Sequence, residues 1–273
     1  MIMANFLKTR KSVRDFKNKE VNSDKLDSVK KILEGIVEKE DLKSGIEFRL
    51  YENGKFIFEN LKGISGYSGV MIKSPHYISM DLKSDEDKNM VYGGYYSEKI
   101  ITELNQMGIE TCWVSVNSVD ETTKKKIFGE FTGNIQYLLA IGYSKARNPF
   151  IQEPFSERQG IDNFVFDREI QEFISIDDLE RRGLGDIFFY IRFAPSTRNK
   201  QPWRFVLENN KVELFLHLEE GKRPLFIDAG IIMYYFEKLA LYLGIKNKWI
   251  LGEGVVVKEH DGEQYRYIGE YHL

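Results

Sequence analysis

Two segments of the chain carry apolar residues at helical spacing. The first stripe consists of Ile100, Ile101, Leu104 and Met107, and the second of Met233, Phe236, Ala240 and Leu243. Residues three or four positions apart lie on one face of a helix, so each stripe predicts a helix that buries this face. Each stripe ends close to a glycine, Gly108 or Gly244. Glycine readily adopts the left-handed conformation in which many helices end.

These helices belong to a longer repeat. The segment GGYYSEKIITELNQMGIETCW recurs in outline as AGIIMYYFEKLALYLGIKNKW. The matching pairs, each 136 positions apart (249 minus 113), are Gly94 with Gly230, Gly108 with Gly244, Ile109 with Ile245, and Trp113 with Trp249.

The elements around the two helices also repeat. Each helix follows a stretch with an Asn-containing turn, residues 48–55 or 205–211, which predicts a hairpin. Each precedes a strand that contains Ile-Gly, at Ile141 or Ile268, and Trp113 and Trp249 are expected to start strands. Chance similarity between α/β segments is the alternative, but the shared order of three elements argues against it. Two copies indicate a pseudo-dimer within one chain.

Composition narrows the class of protein. The 273 residues include 42% hydrophobic and 14% aromatic residues, enough for a sizeable core. A formal charge of -3 without a long like-charge block argues against a nucleic-acid partner. One cysteine, Cys112, and four scattered histidines predict neither an internal disulfide nor a zinc site. Apolar runs are too short for a membrane helix, so we expect a cytoplasmic protein without a membrane partner.

The first motif whose residues suggest a binding site is RKSVRDF at residues 10–16. It lies ahead of a helix that should begin near Ser23 or Asp24. It places three cations and a hydroxyl within five positions. Arginine offers a planar fork for phosphate oxygens, and serine adds a donor. The motif therefore suits a phosphate group, the alternative being a solvated basic segment.

The second motif is FAPSTRNKQPWRF at residues 193–205, expected between a helix and a strand. Two prolines, Pro195 and Pro202, restrict the backbone, and the polar side chains between them can donate to and accept from a flat heteroaromatic edge. The alternative is a capped turn in which Trp203 packs in the core.

Together the motifs resemble a known family. RKSVRDF looks like the N-terminal flavin motif of the FMN-dependent nitroreductases, and APSTRNKQPWRF looks like their Ala-Pro-Ser-x-x-Asn-x-Gln-Pro-Trp loop. The resemblance is to a compact, clostridial-like and internally duplicated branch, the "putative TM nitroreductases". In ordinary members both motifs lie in the first quarter of the chain, and each flavin at the dimer interface contacts one motif from each subunit. Here Arg10 and Ala194, where the motifs begin, are 184 positions apart.

Each half of the chain keeps one motif and lacks the other. The first half has IVEKEDLK at residues 36–43 in place of the proline loop, and the second has DREI at residues 167–170 in place of the basic motif. The resemblance therefore implies an α+β, FMN-dependent nitroreductase-like fold, with mixed, mainly antiparallel sheets flanked by helices. We expect two pseudo-two-fold-related halves, residues 1–150 and 151–273, joined by the proline-containing segment 144–162. One FMN per chain is expected.

The resemblance also implies roles for individual residues. In the first half, Arg10 and Ser12 would bind the FMN phosphate, Lys11 would contact the ribityl chain or the phosphate, and Arg14 would face the pyrimidine edge. Backbone groups of Trp113, Val114 and Ser115 would approach flavin N5. Lys145 and Arg147 would complete the phosphate site. In the second half it assigns ring and ribityl contacts to Pro195, Ser196, Thr197, Asn199 and Gln201. Lys145 and Arg147 are alternatively exposed linker charges. Cys112 is interpreted as a small buried residue and Trp249 as core.

The implied activity is ping-pong hydride transfer from NAD(P)H, a transient reductant, to nitroaromatic, quinone or similar acceptors. The flavin carries the chemistry, so no catalytic side chain and no metal are expected. No G-x-G-x-x-G turn indicates a resident dinucleotide. An FMN-binding carrier or sensor, and a scaffold without flavin, are the alternatives. We expect a monomer that acts as an internal pseudo-dimer and leave further dimerisation open.

Overall fold

The structure is a computed structural model that describes residues 6–7, 10–39, 45–67, 69–130, 134–146, 157–253, 255–258 and 263–273. The chain divides into two units. The N-terminal unit comprises Asn5–Asn89 and Tyr96–Gln152, and the C-terminal unit comprises Glu153–Leu273 with Met1–Ala4 and Met90–Tyr95. None of the described helices combines the length and apolarity that crossing a bilayer requires.

The N-terminal unit is a four-stranded antiparallel sheet with helices. Its elements are α1 (Ser23–Lys39), β1 (Ile46–Tyr51), α2 (Gly54–Leu61), β2 (His76–Leu82), α3 (Asp87–Gln106), β3 (Glu110–Ser115), α4 (Glu121–Phe128) and β4 (Asn134–Gly142). The strand order is β1-β2-β4-β3, which places β3 at an edge. Helix α1 begins at Ser23, as the sequence predicts, and α1 buries Leu26, Val29, Leu33 and Ile36 at helical spacing.

The C-terminal unit contains a larger, mixed sheet. Its elements are β5 (Val165–Asp167), β6 (Glu172–Phe173), α5 (Ile176–Arg181), α6 (Gly185–Ile191), β7 (Trp203–Glu208), β8 (Lys211–His217), α7 (Phe226–Tyr242), β9 (Ile250–Leu251), β10 (Val256–Lys258) and β11 (Gln264–His272). The strand order is β10-β11-β8-β7-β5-β6, and β9 also pairs with β11. Strands β5 and β7 are parallel, whereas the other pairs described in this sheet are antiparallel.

The repeated order that the sequence predicts is present in both sheets. The first copy runs β1, β2, α3, β3, β4 along the chain and the second runs β7, β8, α7, β9, β11. Within each copy the first strand pairs with the second, the second with the fourth, and the fourth with the third. The two copies therefore share one topology.

The ends of the repeated helices are also alike. Gly108 has φ 71° and Gly244 has φ 84°, which confirms the left-handed ends. The Ile109 N–H donates to Leu104 O at 2.9 Å, and the Ile245 N–H donates to Ala240 O at 3.0 Å. In both cases the N–H of one residue donates to the carbonyl oxygen five positions earlier. This 6→1 hydrogen bond is characteristic of the Schellman motif, which ends many helices.

Two glycines allow the first part of α3 to pack closely on α7 inside the C-terminal unit. A Cβ added at Gly94 would overlap the carbonyl oxygen of Ile227, and one added at Gly230 would overlap that of Val91. Both partners follow the repeat, because Ile227 and Val91 are 136 positions apart (227 minus 91), as are the glycines. Each helix thus meets the other through the same positions, as in a two-fold-related contact.

Four details differ from the sequence predictions. The Asn53-Gly54 pair does not make a tight hairpin, because the Asn53 side chain accepts from Phe56 N–H and caps α2 instead. Helix α7 is buried nearly all round rather than along one stripe. Leu243, predicted on that stripe, is 44% exposed because it follows the last helical residue. Trp113 lies within β3 rather than at its start.

The joining segment 144–162 falls partly outside the described residues, and both Pro149 and Pro154 lie there. The division into nitroreductase-like halves at residue 150 stays a prediction.

Replacing Gly230 with alanine tests the close helix contact. The added methyl meets backbone rather than a flexible side chain, so we expect a loss of about 3 kcal/mol in the free energy of unfolding. The matched control is Gly35→Ala in α1, where a Cβ has no neighbour within 4 Å. It should leave stability unchanged or raise it by up to about 1 kcal/mol. Urea unfolding measures both, and a G230A protein as stable as wild type would refute the contact.

Candidate functional site

The basic motif lies against the start of β3 in the N-terminal unit. Ser12 forms a parallel bridge with Thr111, and the Val13 N–H donates to Thr111 O at 2.9 Å. Further along, the Lys145 N–H donates to Asp15 O at 3.0 Å, and the two side chains form an ion pair at 2.7 Å. The structure therefore brings the predicted residues Arg10 to Arg14, the β3 residues and Lys145 into one unit. Arg147 lies outside the described residues.

Apolar anchors hold the motif in this place. Val13 and Phe16 are buried in the same core cluster as Cys112. The intervening cations, Lys11 and Arg14, are exposed. Burial of the apolar positions thus leaves two charged side chains at the surface beside β3.

The outer edge of β3 is open between two hydrogen bonds. Thr111 O accepts from Val13 N–H, and Ser115 O accepts from Gly66 N–H at 2.8 Å. Alternate residues of a strand point their peptide groups to the same side, so the Trp113 N–H and C=O face this edge as well. Among the described residues, no partner for either group is found. At about 3.3 Å per residue the opening spans roughly 13 Å.

Val114 differs from its two neighbours. Its side chain lies in the core cluster, and by alternation its peptide group faces β4, where it is paired with Leu138. The backbone role near the flavin that the resemblance implies for this segment therefore falls to Trp113. Ser115 has its carbonyl on the same edge, already bonded to Gly66.

A buried carboxylate connects the motif to β3. Glu98 of α3 accepts from Arg10 Nε at 3.1 Å and Nη2 at 2.8 Å, and from Trp113 Nε1 at 2.9 Å. Arg10 Nη1 donates to Ser12 Oγ at 3.1 Å. The Arg10 and Glu98 side chains are only 6% and 1% exposed. Sequence reasoning missed Glu98, although its place three residues before Ile101, on the buried face of the helix, was a usable signal.

Cys112 is a core residue, as the sequence predicts. The side chain is buried, and burial raises the pKa of the thiol above its ordinary value, while the charges of Arg14 and Arg10 oppose this. A protonated, buried thiol is a poor nucleophile.

Hydrogen bonds within the proline loop, and from the loop to α7, hold this part of the C-terminal unit in place. Ser196 Oγ accepts from Gln201 N–H at 3.0 Å. The Thr197 N–H and Oγ1 both donate to the carboxylate of Asp228, the backbone bond at 2.9 Å and the hydroxyl bond at 3.1 Å. Pro195 is half-buried. The loop is therefore tied to the first turn of α7.

This loop also stores backbone strain. Arg198, Asn199 and Gln201 have φ of 53°, 57° and 50°, in the left-handed region that non-glycine residues rarely adopt. Each such residue costs on the order of 1 kcal/mol, and strain of this kind concentrates at functional sites. The Asn199 Nδ2 donates to Glu157 O at 2.7 Å. The side-chain amide of Asn199 is therefore bonded to the main chain at Glu157. A contact between this amide and a ligand stays a prediction.

Asp228 is the second carboxylate that sequence reasoning missed. It is 1% exposed. Burial raises its pKa to about 7, against the lowering effect of the Thr197 hydrogen bonds and the Lys200 charge. An acidic residue at the start of an apolar helix was the available signal, because helix N-termini favour carboxylates.

Comparison with known proteins decides the family. Residues 3–240 match the model of the family described as "Putative TM nitroreductase". The chain belongs to this family. Membership confirms the nitroreductase resemblance and identifies the protein as an oxidoreductase of the nitroreductase type. Among curated proteins, none matches the chain.

Solved nitroreductase structures are similar to this member of the family. A protein described as a "putative nitroreductase" from Thermotoga maritima is 18% identical, with a TM-score of 0.57 over 97% of this chain and 92% of that one. This likeness confirms the nitroreductase-like α+β fold. An FMN-dependent nitroreductase from Clostridium difficile is 21% identical over 52% of this chain and 88% of its own, with a TM-score of 0.42. A nitroreductase with bound FMN from Bacteroides fragilis is 15% identical over 57% of this chain and 96% of its own, with a TM-score of 0.40.

Substitution of Asp228 by asparagine tests its buried charge. In the unfolded chain the carboxyl ionises near pH 4, whereas the folded protein holds the proton to about pH 7. Between these values the folded state binds more protons, so the free energy of unfolding falls as pH rises. Relative to Asp228→Asn, wild type should therefore lose about 3 kcal/mol between pH 4 and pH 7. Denaturant unfolding across this range measures the difference. If the stability of wild type relative to Asp228→Asn stays constant or increases as pH rises, the pKa of Asp228 is not raised in the folded protein.

Proposed function

We propose that the chain binds one FMN and reduces nitroaromatic, quinone or similar acceptors with electrons from NAD(P)H in a ping-pong cycle. Membership of the nitroreductase family supports the flavin. When bound, FMN supplies the redox chemistry, since it accepts hydride from a nicotinamide and passes electrons to an acceptor in turn. The residues of the chain bind, orient and charge the cofactor.

The observation that carries the proposal is the open edge of β3. The basic motif lies at one end and the loop that contains Gly66 at the other, and among the described residues the Trp113 peptide group between them has no hydrogen-bond partner. A peptide group that is free to donate beside a cluster of cations suits a ligand with a polar ring edge and an anionic tail. FMN has both.

Buried polar atoms without partners support the fit in each unit. Among the described residues, Thr111 Oγ1 in the N-terminal unit has no hydrogen-bond partner, nor has Trp203 Nε1 in the C-terminal unit. Thr111 pairs with Ser12 of the basic motif, and Trp203 directly follows Pro202 of the proline loop. A buried donor left unpaired costs about 1–3 kcal/mol, so ligand groups at these positions would recover free energy.

The charges of the N-terminal unit suit the two ends of the cofactor. Arg10, Lys11 and Ser12, with Lys145 and Arg147, would bind the phosphate and the adjoining ribityl chain. Arg14 would face the pyrimidine edge, where a fixed positive charge favours the reduced cofactor and raises its reduction potential. No protein acid or base is needed for these steps.

The proline loop would complete the same site. Pro195, Ser196, Thr197, Asn199 and Gln201 are proposed to contact the ring and the ribityl chain. The complementary loss of one motif from each half of the sequence supports a single composite site, formed by residues 1–150 and 151–273 of one chain. The functional unit is then a monomer, and its partner is a small-molecule acceptor.

Substitutions in both motifs test the composite site. Arg14→Ala and Asn199→Ala should each raise the Kd for FMN at least about tenfold, because each removes a polar contact to the cofactor. The controls are Arg181→Ala, an arginine that is 73% exposed, and Asn60→Ala, whose amide also donates to a main-chain oxygen, that of Phe56. Fluorescence titration with FMN measures all four proteins. Unchanged affinity in either motif variant would contradict the shared site.

Turnover distinguishes the enzyme from a carrier. The FMN-loaded protein should consume NADH or NADPH steadily when menadione or a nitroaromatic is present, and parallel initial-rate lines should indicate the ping-pong cycle. If the protein binds flavin but consumes no NADH or NADPH, it is a carrier or sensor rather than an enzyme. If it stays colourless after addition of FMN, it is neither a flavoenzyme nor a flavin carrier.

A further inference from the structure

We propose that Asp228 is a positioning residue that holds the strained proline loop in the conformation that contacts the flavin ring. This inference rests on the proposed function. It assigns to a buried carboxylate a role toward a cofactor that it does not itself touch. Asp228 lies in the first turn of α7, and the loop occupies residues 193–205 of the same C-terminal unit.

The carboxylate of Asp228 is bonded to a single residue of the loop. Its Oδ2 accepts from the Thr197 N–H at 2.9 Å, and its Oδ1 accepts from the Thr197 N–H and from the Thr197 hydroxyl, both at 3.1 Å. Hydrogen bonds that involve an ionised group are shorter and stronger than neutral ones. Both the main chain and the side chain of Thr197 are therefore fixed to α7.

This use of the carboxylate is unusual for its place in the helix. Acidic side chains in a first turn commonly interact with the free N–H groups of their own helix. Among the described residues, both groups that donate to the Asp228 carboxylate belong to Thr197, which lies 31 positions earlier. The side chain thus serves the loop rather than the end of its own helix.

The bond to Thr197 lies directly before the strained part of the loop. The next two residues, Arg198 and Asn199, have φ of 53° and 57°, and Gln201 has φ of 50°. Non-glycine residues persist in this left-handed region only where the surrounding structure fixes them. An anchor at the start of the strained turn therefore helps to maintain it.

The burial of Asp228 also points to a role in geometry. The residue is 1% exposed, and burial raises its pKa to about 7, although the Thr197 hydrogen bonds and the Lys200 charge oppose this. An apolar residue at the same position would carry no such desolvation cost. The carboxylate therefore fits a role in holding the loop better than a role in stability.

The test first removes the hydrogen-bond acceptor and then restores it. Asp228→Ala leaves Thr197 without its acceptor, so we expect the Kd for FMN to rise about tenfold or more. Asp228→Asn keeps a side-chain oxygen that can accept from the Thr197 N–H, and its Kd should stay within about threefold of wild type. Fluorescence titration of the whole chain gives these values without any need for turnover.

Riboflavin, which lacks the phosphate, shows which end of the cofactor is affected. A loop that contacts the ring and the ribityl chain serves both flavins. Asp228→Ala should therefore weaken FMN and riboflavin by similar factors. Lys11→Ala, at the proposed phosphate end, should weaken mainly FMN.

Asp167 provides a matched control within the same unit. It is 0% exposed, and its Oδ1 accepts from the Glu169 N–H at 2.8 Å and from the Ile170 N–H at 3.2 Å. Asp167→Ala thus removes a buried carboxylate that also holds a turn, but a turn outside the proline loop. It should lower the free energy of unfolding and leave both flavin affinities unchanged.

A second substitution tests the strain itself. Glycine adopts the left-handed conformation without steric cost, and Arg198 is not among the residues proposed to contact the flavin. Arg198→Gly in the Asp228→Ala background should therefore recover part of the lost affinity for both flavins. If the Ala protein does not fold, Thr197→Val, which removes only the hydroxyl bond, should raise both Kd values about threefold.

Four results would overturn the proposal. Unchanged flavin affinity in D228A would indicate a purely structural role, and a loss confined to FMN would place the effect at the phosphate. An equal loss in D228N and D228A would show that the hydrogen bond to Thr197 is not what matters. No recovery with Arg198→Gly would show that Asp228 does not act by holding the strained turn. Failure of the proposed function is a separate outcome, since wild type would then bind neither flavin.

Discussion

An edge strand leaves backbone groups unpaired, and the proposed site depends on how this chain covers the edge of β3. The basic motif bonds to Thr111 and the Gly66 loop bonds to Ser115, so the edge is protected at both ends. Unprotected edges invite pairing with other chains, and proteins usually cover them. Among the described residues, the Trp113 peptide group between these two bonds has no partner, and Lys11 and Arg14 belong to the motif that pairs with Thr111. The same pairing that protects the ends of the strand therefore places the basic motif next to the part of the edge that has no partner among the described residues.

Buried carboxylates support both motifs. Glu98 of α3 fixes Arg10, and Asp228 of α7 ties down Thr197. These helices are the two copies of the repeat, although the carboxylates do not occupy equivalent positions. In each case the segment that carries the motif is bonded to a helix most of whose residues are buried. Groups positioned in this way need little reorganisation when a ligand binds.

Much of the fold followed from local patterns in the sequence. The repeat, whose two copies lie 136 positions apart, predicted the same order of elements in both halves. Gly108 and Gly244 predicted where the repeated helices end. The Asn53-Gly54 pair misled because an asparagine serves a turn and a helix cap equally well, and only the longer connection to β2 decides between them. The full burial of α7 was not visible as a stripe, because a helix that is apolar all round has no polar face to mark its orientation.

The site was less predictable than the fold. The two motifs were evident from residue types, but Glu98 and Asp228 act at distances of 88 and 31 positions from the residues they hold. Only the tertiary structure brings these groups together. The left-handed conformations of Arg198, Asn199 and Gln201 were likewise hidden, because no glycine marks them.

The most direct measurement is a titration of the purified, flavin-free chain with FMN, followed by isothermal calorimetry and by the visible spectrum. A single composite site predicts saturation at one FMN per chain, since each half keeps only one of the two motifs. Saturation at two per chain, or no binding at all, would contradict it.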